Sequence, residues 1–191
     1  MKISLRRFVS PRLLRSLTCG YEEIPVSNNG ILHITAVTSG LVSDIVGIPK
    51  SHILHCISLG AVYVKHSYSH KDGKAKRLIE DIIVYKDDYI RVHLHPRRFS
   101  VSSIDWNSRV LDESDEHIVI NKPAGIPCLP ILDNSKENVM ECVRLLKCKE
   151  SQLFPPHRLD EDTEGVLLFA KNKIKAAEYS ELFKNKMLTK R

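Results

Sequence analysis

Three carboxylates fall within the run His157-Arg158-Leu159-Asp160-Glu161-Asp162, which follows Pro155-Pro156 and precedes the apolar stretch VLLFA at 166–170. A polar loop that feeds a core strand is a rigid place from which to aim a side chain. Asp160 is the candidate. Two residues after Arg158, in a partly dry pocket with a cation nearby, its carboxylate would stay ionised, as nucleophilic or general-base work requires. The competing reading is a turn aspartate that hydrogen-bonds its own backbone. A hydrolytic acid–base pair made of Asp160 and Glu161 is disfavoured, because adjacent residues on an extended loop point apart.

Other chemistries are weaker. His52 and His55, His66 and His70, and His93 and His95 are close pairs, but none is joined by a second pair at finger-like spacing or by an H-E-x-x-H pattern, so no metal is expected. Five cysteines with no C-x-x-C pair suit a reducing compartment and read as buried or incidental thiols. HLHPRRF at 93–99 is the densest positive cluster outside the N-terminus. Its strand alternation sets Ile90, Val92 and Leu94 on one face and Arg91, His93 and His95 on the other, with Arg97 and Arg98 continuing the basic edge.

The elements that must position these residues follow from periodicity and breakers. Gly30 to Thr38 reads as a short strand, and helices are expected near 39–47 and 50–59, divided by Gly47 and Pro49, with Ser51 as a cap for the second. Residues 61–65, 82–85 and 89–95 have strand character, with a loose hairpin turning at Asp72-Gly73 between the first two. FSVSSIDWNS at 99–108 lacks periodicity and reads as a linker. Beyond it, strands are expected at 110–111 and 117–121, followed by a break at Lys122-Pro123-Ala124-Gly125. Asn134 and Glu137 resemble a capping box for a helix ending near Lys147. VLLFA reads as a strand covered on both faces, and 173–187 as an amphipathic helix with Ala176, Tyr179, Phe183 and Met187 along one side.

Composition bounds the rest. The chain has 191 residues, 42% hydrophobic and 27% charged, which excludes wholesale disorder and fits one domain or a small domain plus part of another. The formal charge is +6, but Lys2, Arg6, Arg7, Arg12 and Arg15 stand in the first 21 residues without an acid, and the remainder carries 24 cations against 23 acids. That Arg- and Ser-rich opening, with apolar Phe8, Leu13, Leu14 and Leu17, has the composition of an organelle transit peptide over 1–27, mitochondrial first and plastid as the alternative, or else of a basic tail that touches RNA. No apolar run is long enough to span a membrane, and no membrane partner is expected.

HRLDEDTEGVLLFAK at 157–171 resembles the signature of the RluA family of RNA pseudouridine synthases, and RVLDESDEHIVINKPAGIPC at 109–128 resembles that family's opening strand pair and N-K-P-A-G turn. Residues 28–98 are similar to the small alpha-L-type RNA-binding module that precedes this catalytic domain, and the YIRVHLHPRRF arrangement looks like a plant and algal organellar branch. The resemblance implies an α+β fold: the alpha-L-type module, the linker at 99–108, and over 109–191 the first half of a mixed or antiparallel-sheet catalytic domain. It implies isomerisation of uridine to pseudouridine in ribosomal or transfer RNA without cofactor or metal. On this likeness Asp160 matches the catalytic aspartate, as nucleophile or base, and Arg158 matches the arginine that fills the gap left by the flipped nucleoside. His157, Thr163 and Gly165 shape the loop, with His157 also at the RNA. Lys122, Arg91, Arg97 and Arg98 are expected to hold phosphates.

Two departures accompany the likeness. Glu164 replaces the usual Ser of T-S-G, either raising the pKa of Asp160 or pointing outward, and Cys128-Leu129 stands where the family often has a His before Pro. In the family, a Lys-Arg pair like Lys190-Arg191 is followed by a tyrosine that stacks on the uracil and by more of the sheet. The 191-residue chain is therefore expected to be truncated and weak or inactive alone, the alternative being a non-catalytic RNA-binding derivative.

Overall fold

A computed structural model of the chain describes residues 2–5, 36–67, 73–85, 88–147, 152–185 and 187. The molecule divides into two compact units, Met1–Arg97 and Arg98–Arg191. Both mix helices with mostly antiparallel sheet.

In the first unit, β1 (Lys2–Leu5) and β2 (Ala36–Val37) precede α1 (Thr38–Val46) and α2 (Lys50–Ser58), after which come β3 (Val62–Lys65), β4 (Lys76–Arg77), β5 (Ile83–Val84) and β6 (Tyr89–Val92). The helices are split at Gly47, whose φ of 68° is a left-handed value that only glycine adopts freely, and at Pro49, which opens α2 with its fixed φ. Four strands form a sheet in the order β1-β6-β3-β4, with β1 parallel to β6 and the rest antiparallel, while β2 and β5 pair separately. The period of two turns Val62, Val64, Ile90 and Val92 toward one core with Leu41, Val42, Ile53, Cys56 and Ile57.

The second unit contains a 3₁₀ turn at Val101–Ser103, β7 (Val110–Glu113), β8 (His117–Lys122), α3 (Val139–Lys147), β9 (Gly165–Ala170) and α4 (Lys173–Lys184). Its sheet runs β7-β8-β9, antiparallel throughout. Ile118 and Ile120 of β8 and Leu167 and Phe169 of β9 are fully buried, and they pack with Val139 and Val143 of α3. The decisive register is Lys122 opposite Gly165. Antiparallel pairing brings the end of β8 to the start of β9, so the turn after Lys122 and the loop before Gly165 become neighbours in space.

Several expectations are corrected. Thr38 begins α1, with its hydroxyl and amide both on the Ile82 carbonyl, so only Ala36–Val37 of the proposed 30–38 strand is strand; residues 30–35 lie outside the described residues. Pro49, not Ser51, occupies the N-cap of α2. Asp72 lies outside the described residues, while β3 and β4 do pair as a hairpin would. The transit segment proposed over 1–27 includes β1, and its residues 6–27 lie outside the described residues. The 99–108 stretch is no linker. Phe99, Val101, Ile104 and Trp106 pack on the second core, and the Trp106 indole donates to the Val101 carbonyl at 2.9 Å. A non-periodic segment can still anchor a core through single large side chains, which a pattern search does not register. β9 is not covered on both faces: Val166 is 61% exposed, so the run alternates like a half-buried strand. α4 ends at Lys184, and Met187 is exposed.

Candidate active site

The loop from His157 to Glu164 is held at both ends and from beneath. At its start the His157 ring lies 4.3 Å from the Phe183 ring of α4, and its Nε2 accepts the Leu168 amide at 3.1 Å. The outward edge of β9 is thus occupied, with Phe154 bridged to Ala170 on the same edge. His157 is half-buried in this seam and seats the loop on β9 and α4.

Lys122 is fully buried, and its ammonium donates to the carbonyls of Pro123, Glu161 and Thr163 at 3.0, 2.8 and 2.7 Å. Three donors meet three acceptors, which corrects the expectation that Lys122 would hold phosphate: the charge is committed to the loop backbone. Burial pushes its pKa down, while Cys128 and the carboxylates of Asp162, Glu161 and Asp160 favour the charged form. The Gly125 amide adds a bond to the Glu161 carbonyl at 2.9 Å. Gly125 and Gly165, at φ of 77° and 134°, occupy backbone conformations closed to most side chains, and neither has an atom within 4 Å of a built Cβ, so conformation and not space requires glycine there.

Asp160 opens the turn. Its carbonyl accepts the Thr163 amide at 3.2 Å. Its side chain is exposed and, among the described residues, has no hydrogen-bond or ion-pair partner. The turn therefore closes through the backbone and leaves the carboxylate available. Arg158 is exposed likewise. Both border a cleft of about 210 Å³ lined by Pro127, Cys128, Leu129, Pro130, Ile131, Arg158, Leu159, Asp160 and Glu161. One wall is apolar and the other carries a cation beside carboxylates. An engineered apolar cavity of about 150 Å³ takes a benzene molecule, so the space suits a six-membered heterocycle. Glu164 is exposed.

The apolar wall is rooted in α3. The Val139 and Met140 amides at the start of that helix donate to the carbonyls of Pro127 and Cys128 at 3.0 and 3.1 Å. The helix is capped by Asn138, whose Oδ1 accepts the Glu141 amide at 3.0 Å. Asn134 instead closes the preceding turn through the amides of Lys136 and Glu137. Both N-x-x-E patterns were in the sequence, and the one nearer the apolar stripe is the cap. For Glu137, read only as a cap partner, and Cys128, read only as a departure from the family pattern, sequence reasoning missed the contacts that matter. Glu137 accepts from Arg98, the Phe99 amide and Asn134; burial raises its pKa, but those bonds outweigh it and hold the carboxyl below its ordinary value. The adjacency of Arg98 and Phe99 to a distant acid left no periodic signal.

The arginines of the proposed basic edge are held differently. Arg98 is bidentate on Glu137, with its NH2 at 2.6 Å. In the first unit, the Arg91 guanidinium lies 4.2 Å over the Tyr63 ring, and His93 is buried against the same ring. Arg97 is exposed.

Residues 116–191 match the family model described as RNA pseudouridylate synthase. A rice protein (Oryza sativa subsp. japonica), RNA pseudouridine synthase 6, chloroplastic, is 32% identical over 104 residues, which is 54% of this chain and 22% of that protein. Ribosomal large subunit pseudouridine synthase C of Haemophilus influenzae is 30% identical over 80% of this chain and 49% of its own length. The structure of human RNA pseudouridylate synthase domain containing 4 aligns with a TM-score of 0.35 at 28% identity, over 43% of this chain and 31% of that one. A carboxylate loop and an N-K-P-A-G turn joined across an antiparallel strand pair thus lie in the segment matched to pseudouridine synthases. Over this segment the chain is similar to RNA pseudouridine synthases of the RluA type. It spans about a fifth of the length of the rice relative and about half that of the bacterial one.

Proposed function

We propose that this protein isomerises uridine to pseudouridine in RNA. The glycosidic bond from the ribose to ring nitrogen one breaks, the base turns, and the ribose carbon bonds ring carbon five. The proton lost from that carbon is balanced by one gained at the freed nitrogen, so no redox partner or co-substrate enters. Asp160 acts on the extruded nucleoside as nucleophile or base, and Arg158 takes the vacated space in the stack, where a planar cation both stacks and hydrogen-bonds.

The observation that carries this reading is the exposed, partnerless Asp160 carboxylate on a loop anchored by Lys122, facing a base-sized cleft with an apolar wall. The order of α1, α2 and the β3–β4 hairpin supports an alpha-L-type RNA-binding role for the first unit. Bacterial and plant relatives named for ribosomal and chloroplast enzymes support a structured RNA, ribosomal or transfer, and an organelle address, the plastid being favoured over the mitochondrion by the rice protein's name.

The test incubates the protein with cellular RNA and measures pseudouridine. Asp160→Ala should abolish product while RNA binding stays within a few fold; product that persists at the wild-type level would remove Asp160 from the chemistry.

A further inference from the structure

Leu159 sits between the two residues that face the cleft, Arg158 and Asp160, and among the described residues it makes no backbone–backbone hydrogen bond. Buried or half-buried peptide groups need partners. Here one side chain serves both groups of the same residue: the Cys128 thiol donates to the Leu159 carbonyl at 3.1 Å, and its sulfur accepts the Leu159 amide at 3.4 Å. Cys128 is 4% exposed, and its own backbone is fixed by the Met140 amide of α3. A continuous mechanical chain therefore runs from the start of α3 through the Cys128 backbone and thiol to the peptide between Arg158 and Asp160. Lys122 grips the loop only after Asp160, at Glu161 and Thr163. On the other side, His157 holds the loop one residue before Arg158. The stretch between is held by the Cys128 thiol on the Leu159 backbone, alongside the packing of the Leu159 side chain on the core.

We propose that Cys128 is a positioning residue: its thiol, pairing with both backbone groups of Leu159, sets the register of Arg158 and Asp160 across the cleft. The idea rests on the catalytic reading of Asp160 given above. Sulfur is a weak donor and a weak acceptor, so the contact contributes little to global stability. Its leverage is geometric, because displacing a reacting group by about 1 Å can cost roughly a hundredfold in rate. Alanine at 128 removes both bonds. Valine fills the space but pairs with neither group. Serine supplies a donor and an acceptor.

The experiment compares Cys128→Ala, Cys128→Val and Cys128→Ser in the full chain, with rates normalised to folded protein. Alanine and valine should lower kcat about tenfold or more, leaving the KM for RNA within about twofold, and serine should recover most of the loss. Amide hydrogen exchange supplies an arm independent of turnover: the Leu159 amide should exchange at least about tenfold faster in the alanine and valine variants, and that of Val143 in α3 should not change. Wild-type kcat in both variants, or an unaltered Leu159 exchange rate, would overturn the proposal. If the wild-type protein forms no pseudouridine, the catalytic reading fails and the exchange arm alone decides whether the thiol holds the loop. If alanine prevents folding, the valine and serine pair carries the comparison.

Discussion

At the scale of single residues, the site turns on where two charges end up. Lys122 is buried with its donors spent on three carbonyls, whereas Asp160 is exposed with none of its lone pairs engaged by a described residue. The lysine is structural and the aspartate is available, a division that residue type alone does not reveal. Lys122→Met keeps the length of the side chain but orphans the carbonyls of Pro123 and Thr163, while that of Glu161 keeps the Gly125 amide. Unpaired buried acceptors cost about 1–3 kcal/mol each, so denaturant titration should show a loss of roughly 3 kcal/mol, and unchanged stability would mean that water replaces the amine. Glu164 is exposed, so the fourth carboxylate of the loop lies in solvent where its field is screened. Glu164→Ser should leave the pH dependence of pseudouridine formation within experimental scatter, and a displaced acidic limb would show that its charge reaches Asp160.

At the scale of elements, what was legible were the pieces with strong period or strong punctuation. α1 and α2 split by Gly47 and Pro49, the alternation of β6, the β7–β8 hairpin around its acidic turn, and the body of α3 all follow from local pattern. The cleft was half legible: the resemblance named the Asp160 loop and the Lys122 turn, but only the pairing of Lys122 with Gly165 makes them neighbours. What stayed hidden depends on partners remote in sequence. Glu137 collects Arg98 and Phe99 from 38 or 39 residues away, Cys128 reaches Leu159 across 31, and Trp106 anchors a stretch that looked like linker. Removing the α3 cap by Asn138→Ala should cost about 1 kcal/mol in a melting experiment. Because α3 amides hold the cleft wall, activity should fall with it, and a fall confined to stability would separate the helix end from the site. Glu137 adds a pH dependence. Its folded pKa lies below its unfolded one, so its stabilisation is complete above the ordinary glutamate range near pH 4.3 and is lost as pH falls through the lower folded value. Glu137→Gln should flatten the acid limb of a stability-versus-pH curve, and an identical limb would locate the acid sensitivity elsewhere.

At the scale of the whole molecule, the charge balance is a poor guide to the RNA footprint, because cations differ in their surroundings and exposure. Of the three arginines read as one basic edge, Arg98 is paired with Glu137, Arg91 is stacked on Tyr63, and Arg97 stands exposed. Salt dependence distinguishes them, since each phosphate neutralised releases counterions and adds about 0.7–0.9 to the slope of log affinity against log salt. An arginine whose charge is balanced by a carboxylate releases fewer ions on binding. Arg97 is exposed to solvent, and Arg97→Ala should reduce that slope by up to roughly one unit. Arg98→Ala should leave it nearly unchanged and instead lower stability, because it strips a bidentate partner from the half-buried Glu137. Arg91→Ala should loosen the Tyr63 packing with a smaller effect on slope. Equal slope losses at all three positions, measured by fluorescence anisotropy over a salt series, would mean that RNA breaks the Arg98–Glu137 pair on binding and that the edge acts as one surface.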